Sequence, residues 1–400
     1  MTLNVLQDSA RVKPNAGLSS SSSVPKPEAP KPREQQHIPF LDGLRGLAVL
    51  WIMAFHSHGW ISRNLFHCGD WASIDVFFVL SGFLITRILL NERSRTGSVN
   101  LKKFYTRRML RLLPAFAVYL LVFSIFNPYR CSNILAAITV AFACMSDMDI
   151  AYQWGHVAGS GLDITWSLSV EEKFYAFWPL LIRQLRKFLP LVAAVTILFA
   201  LFWKAIMPFQ YPGLPRPCEA IDTRCDTIML GCLAALALDN PGWSRRLSQI
   251  FSNKVAPALS LASLVIYMRM VGPPSTSLAD PIKLFLHWDV RMLIFDLLVT
   301  GVIIALFLRP ESIANRLMSC AFLRWSGKIS YGLYLWHVLA YTLIAGKVSG
   351  FMAELAGYGL AFALAALSFY LVEQPFLAIK DKVGSVDQRE AIARSNCTAV

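Results

Sequence analysis

The feature that most constrains this chain is a succession of apolar stretches, each close to the roughly 20 residues that carry a helix across a bilayer. They fall at 43–62, 72–91, 109–127, 164–183, 188–208, 224–239, 255–272, 288–308, 329–346 and 354–378. Backbone in contact with lipid must satisfy its own hydrogen bonds, so a series of this kind folds as a helical bundle. Composition agrees, since 55% of residues are hydrophobic and only 16% charged, where soluble domains run near 25% charged. The expected fold class is all-α, a polytopic integral membrane bundle of about ten transmembrane helices. One further segment, 131–146, is apolar but short. It is read as a re-entrant or surface helix, because an extra crossing there would invert every later loop.

Charge then orients the bundle. Lys and Arg total 38 against 25 Asp and Glu, a net charge of +13. The stretch 87–111 holds Arg87, Arg93, Arg95, Lys102, Lys103, Arg107, Arg108 and Arg111, and such clusters stay on the cytoplasmic side. Clusters at 183–187, 245–254 and 309–328 fall on the same side, whereas single charges such as Arg63, Arg130, Arg216 and Lys347 mark the opposite loops. Both termini are therefore expected in the cytoplasm and the bundle in the cytoplasmic (inner) membrane. The excess charge is topological, and no nucleic-acid partner is expected. Residues 1–37, with the run Ser19 to Ser23, read as a disordered cytoplasmic tail, 38–380 as one membrane domain and 381–400 as a cytoplasmic C-terminal tail. Neither a cleaved signal nor an appended soluble domain is expected. The halves show no internal repeat, which argues against an inverted-repeat transporter. The eight cysteines show no metal-ligand spacing, so no metal site is predicted. Cys218 and Cys225 bound a polar segment, and whether they pair is left open.

Ionisable groups within spans are costly and mark candidate functional positions. Asp42, Arg45 and His56 lie within about 60° of one helix face, with His56 some 16 Å beyond Arg45. A histidine bonded to a neighbouring helix is the structural alternative for His56, and His58 is a competing imidazole. The second span carries Asp75 and, further in, Ser81. A carboxylate beside an imidazole fixes its tautomer, and consecutive spans are neighbours, so Asp75 is expected to orient His56; simple neutralisation of an arginine is the other reading. Arg108 and Arg111 stand at i, i+3 in FYTRRMLRLLP, a spacing suited to phosphate but also to topology alone. Glu171 and Glu172 sit in an apolar span about 100° apart, one expected to pair with an arginine and the other to face a polar cavity. Arg224 and Asp226 open another span, and Tyr331 and His337 lie in ISYGLYLWH, His337 being a second candidate base.

Seven strings in order, FLDGLRGLAVLWIMAFH, DVFFVLSGFLI, FYTRRMLRLLP, TWSLSVEEKFYAFWPLL, RCDTIMLG, ISYGLYLWH and VEQPF, resemble the membrane acyltransferase 3 family. Its members transfer acyl groups, most often acetyl, to extracytoplasmic carbohydrates and some small molecules. The resemblance implies that His56 is the essential histidine, Asp75 the acid of the second motif, and Arg108 and Arg111 the pair associated with the acyl-CoA donor. Lys173 departs from the pattern, which usually has Gln there. No bound cofactor is implied, acetyl-CoA being a substrate. The implied reaction takes acetyl-CoA from the cytoplasm and uses His56 as general base on an acceptor hydroxyl, directly or through an acyl-enzyme. The membrane unit acts alone or with a separate periplasmic partner. Acceptors that fit are an envelope polysaccharide such as lipopolysaccharide, a lipid-linked oligosaccharide, a glycolipid or a macrolide-like metabolite, chosen by loops such as 147–163 and 209–223. A transporter or flippase is the non-enzymatic rival.

Overall fold

The computed structural model describes residues 38–57, 59, 71–126, 133–210, 219–271 and 281–379. The expectations for 1–37, 381–400, His58 and Cys218 fall outside them; Cys225 is a free thiol. All regular structure among the described residues is helical. In chain order the helices are α1 (Pro39–His56), α2 (Trp71–Thr96), α3 (Leu101–Phe126), α4 (Ile134–Phe142), α5 (Ser146–Ala151), α6 (Trp166–Gln184), α7 (Leu189–Gln210), α8 (Ile221–Asp239), α9 (Pro241–Ile250), α10 (Ala256–Val271), α11 (Pro281–Leu308), α12 (Ile313–Met318), α13 (Ala321–Lys328), α14 (Ser330–Ile344) and α15 (Gly350–Ser368). A π-helical turn, Phe369–Glu373, continues α15.

Among the described residues, five helical stretches are long and apolar enough to cross a membrane: Trp71–Thr96, Leu101–Phe126, Arg186–Met207, Asp289–Leu308 and Gly350–Ile379. The remaining expected spans coincide with helices that are shorter or carry interior charge. Helix α1 has 18 residues and includes Asp42 and Arg45; α8 has Asp222, Arg224 and Asp226 in its first turns; α14 has 15 residues. These three bury most of their length against neighbours, and helices lined by protein tolerate charges that a lipid-facing helix does not. Segment 131–146 yields the nine-residue α4, which rises only about 14 Å, and the chain turns at Cys144, where φ is 55°.

Close backbone approach sets the packing. Helices α2 and α8 cross at Gly82 and Gly231, where a side chain on either glycine would run into the main chain of the other helix, at Ile228 and Val79 respectively. Helix α1 meets α12 and α13 in the same way, Gly43 and Gly46 lying on the backbone of Met318 and Leu323, and Gly327 on that of Asp42. Small residues at such crossings replace the hydrophobic drive that lipid removes. The result holds α1, α2, α6, α8 and α14 around one interior.

Gly82→Val or Gly231→Val should lower stability by about 1–3 kcal/mol, since carbonyls cannot step aside as side chains do. Fluorescence-detected size-exclusion melting should show this loss. Gly301→Val, where nothing lies within 4 Å of the added carbon, should melt like the parent.

Candidate active site

His56 ends α1 at the wall of a cavity of about 640 Å³, shared with Ile74 from α2, Asp163 and Trp166 at the start of α6, Glu219 before α8, and Tyr334 and Tyr341 from α14. Ile150, Ala158, Gly159 and Gly161 complete one side, so the segments 147–163 and 209–223 both reach this cavity. The first is held in place by buried Asp149, which accepts from the main-chain N–H of Val157 at 2.8 Å and pairs with the His156 ring at 2.6 Å. Lys173 on α6 pairs with buried Asp147 in the same segment, which gives the departure at Lys173 a structural partner. Tyr334 donates its hydroxyl to the Ile164 carbonyl at 2.6 Å and lies 2.6 Å from Ser167 Oγ, so Ser167 is the donor in that second contact. Burial pushes the Asp163 carboxyl above its usual range, opposed by the Ile164 N–H and the nearby His56.

The His56 ring contacts another imidazole. Its Nδ1 lies 3.2 Å from His337 Nε2 and 3.1 Å from the Ile52 carbonyl. His337 is fully buried, and its Nδ1 lies 2.7 Å from the Tyr334 carbonyl and 3.2 Å from that of Leu333.

Beyond Tyr334 and Ile74, which line both spaces, a second cavity of about 50 Å³ is bounded by Arg45, Phe77, Ser167, Glu171 and Tyr331. Arg45 and Phe77 are shared in turn with a third, about 20 Å³, that reaches Ser81, Arg108 and Tyr175. Arg108 sits 3.5 Å above the Tyr175 ring, 3.9 Å from Glu171 and 4.0 Å from Glu172. Both acids therefore share one arginine, where the sequence reading divided them. Glu171 accepts from Ser81 at 2.5 Å, and Ser81 accepts from the Tyr175 hydroxyl at 3.0 Å. Arg111 lies in electrostatic range of Arg45, Arg108 and Glu373, and Tyr331 donates to the Leu112 carbonyl at 3.2 Å. Three guanidinium groups converge at this end, a chemistry suited to phosphate, while Asp42 lies half-buried one turn before Arg45. A line of neighbouring cavities, separated by the wall residues they share, thus runs from the arginines to the imidazole.

The family signature described as an acyltransferase domain matches residues 38–373. The chain belongs to the acyltransferase 3 family. It is 29% identical over 363 residues to the peptidoglycan O-acetyltransferase OatA of Listeria monocytogenes, covering 85% of this chain and 56% of that one. It is 30% identical to the putative peptidoglycan O-acetyltransferase YrhL of Bacillus subtilis, covering 86% and 56%. Against the O-acetyltransferase OatA of Staphylococcus aureus the identity is 31%, covering 76% and 50%. The chain spans about half the length of these curated relatives. No solved structure matches it.

In this acyltransferase domain the expected contact between Asp75 and His56 does not form. Asp75 is fully buried and pairs with Arg224 of α8. The reason is the α2–α8 crossing, which turns that face of α2 toward α8 and leaves α14 to meet the end of α1. Asp226, which with Arg224 opens this span, meets Lys204 of α7 at 2.6 Å, and Thr227 donates to Asp296 of α11 at 2.7 Å. Sequence reasoning passed over Lys204, Asp163 and Glu219. A lone lysine in the apolar run of α7 was a usable signal; the two acids lie in short polar segments that carry none.

Arg224→Ala should destabilise the domain by about 3–5 kcal/mol, because it leaves Asp75 buried without its cation. Adding Asp75→Asn should recover a large part of the lost melting temperature. Equal losses in the single and double variants would contradict the pairing.

Proposed function

We propose that this chain is a membrane O-acyltransferase that moves an acetyl group from acyl-CoA, bound at the Arg45, Arg108 and Arg111 end, to a hydroxyl of a cell-envelope carbohydrate in the His56 cavity. The observation that supports this reading is the line of cavities joining an arginine cluster to an imidazole in a chain of the acyltransferase 3 family. The neutral imidazole of His56 takes the acceptor's hydroxyl proton as its oxygen attacks the thioester carbonyl. A C–O bond forms, the C–S bond breaks, and the proton passes to the departing thiolate. Asp163, Glu219, Trp166, Tyr334 and Tyr341 offer the mixture of carboxylates and aromatic faces that suits a polyhydroxylated ring. The names of the relatives make peptidoglycan the first acceptor to try.

The inner cavities are narrow. At about 50 and 20 Å³ they hold a few waters at most, so the arm of acyl-CoA enters only as Phe77 and Arg45 swing aside. In this reading the bundle crosses the inner membrane about ten times, with both termini and the arginine end in the cytoplasm.

The test is transfer of label from radioactive acetyl-CoA into base-labile ester, using membranes that contain the protein and peptidoglycan precursors. Wild type should transfer. His56→Ala should lose at least about 10²-fold, the scale of a lost general base, and Arg108→Ala should raise the donor KM. Transfer that survives His56→Ala undiminished would remove the base assignment. Substrate movement without ester formation would favour a carrier.

A further inference from the structure

The imidazole pair determines which nitrogen of His56 can act. A backbone carbonyl only accepts, so the contacts of His337 Nδ1 with the carbonyls of Tyr334 and Leu333 place a proton on that nitrogen. A neutral His337 then has its lone pair on Nε2, which faces His56 Nδ1 at 3.2 Å. The only complementary partner is a protonated Nδ1 on His56. The Ile52 carbonyl, 3.1 Å from the same nitrogen, makes the same demand independently. Two separate sets of acceptors therefore hold the proton on His56 Nδ1 and leave Nε2 as its basic nitrogen.

We propose that His337 is the positioning residue for His56: it accepts the Nδ1 proton, fixes the tautomer in which Nε2 is the base, and supports the imidazolium that forms during transfer. This rests on the acyltransferase reading and assigns to a second histidine the part that a carboxylate plays in familiar triads. A neutral partner is suited to this setting, because α14 is buried and a carboxylate there would need a cation of its own. The ring of His337 is itself held against rotation. It is buried, its centroid lies 5.8 Å from that of Tyr334 and 6.1 Å from that of Tyr341, and Tyr341 donates to the Met53 carbonyl of α1 at 2.9 Å. Movement of α14 relative to α1 would therefore break the contact between the imidazoles and the Tyr341 bond together.

The experiment compares His337→Gln with His337→Phe in the acetyl-transfer assay, with thermal melts of each. Gln places an acceptor oxygen near the position of Nε2, whereas Phe fills the space and accepts nothing. His337→Phe should lower kcat by at least about 10²-fold with the donor KM within threefold, and His337→Gln should keep at least a tenth of the parent kcat. Selective ¹⁵N-histidine NMR of wild type, assigned against His56→Gln, should show the proton of His56 on Nδ1. The proposal is overturned by a His337→Phe enzyme within twofold of wild type, by a folded His337→Gln as inactive as Phe, or by a His56 protonated on Nε2. Because every comparison is made against an active wild type, or by spectroscopy without turnover, failure here is distinct from failure of the acyltransferase reading. Absence of transfer by wild type leaves the NMR result to decide the tautomer.

Discussion

An ionised side chain in a hydrocarbon environment costs several kcal/mol unless a partner and hydrogen bonds meet it, and the interior of this bundle is arranged around meeting that cost. Asp75 meets Arg224, Asp226 meets Lys204, and Glu171 and Glu172 meet Arg108. Each pairing joins different helices, so each fixes a register that apolar packing alone would leave loose. The glycine crossings work with them. Gly82 and Gly231 let α2 and α8 approach to backbone contact, which is the geometry that brings a short carboxylate such as Asp75 to an arginine on the facing helix.

With those charges neutralised in pairs, what remains is the line of cavities. The arginines at one end suit phosphate, and the imidazole at the other is held by the Ile52 carbonyl and by a second imidazole. Between Arg108 and His56 stand Tyr334, Phe77 and Arg45, each lining two successive spaces. In the proposed reaction an acyl group passes along this line, between residues of α1, α2, α6 and α14.

Much of this was legible in the residues. The all-helical class and the five long apolar helices follow from apolar length, and the stripe of Asp42, Arg45 and His56 follows from helical periodicity on a single element. Helix α1 was nevertheless placed a turn too late, although Pro39 at its first position is a helix-start signal. The partner of Asp75 was not legible. Chain adjacency of the first two spans suggested His56, whereas Arg224 lies far along the sequence, and no local pattern announces a contact set by how helices cross. His337 was visible as a candidate base, but its role as a partner of His56 depends on α14 packing against the end of α1, a tertiary fact. Segment 131–146 was set apart in the sequence by its 16-residue length and by loop parity, and the nine-residue α4 found there is too short to cross a hydrocarbon core about 30 Å thick.

The central claim is that donor and acceptor meet through the bundle from opposite ends. The direct measurement uses proteoliposomes in which the protein has one known orientation, with acetyl-CoA supplied on one side and a carbohydrate acceptor on the other. The account predicts ester only when acetyl-CoA is on the side of Arg108 and the acceptor on the side of His56. Ester formed only when both substrates share one side would contradict it.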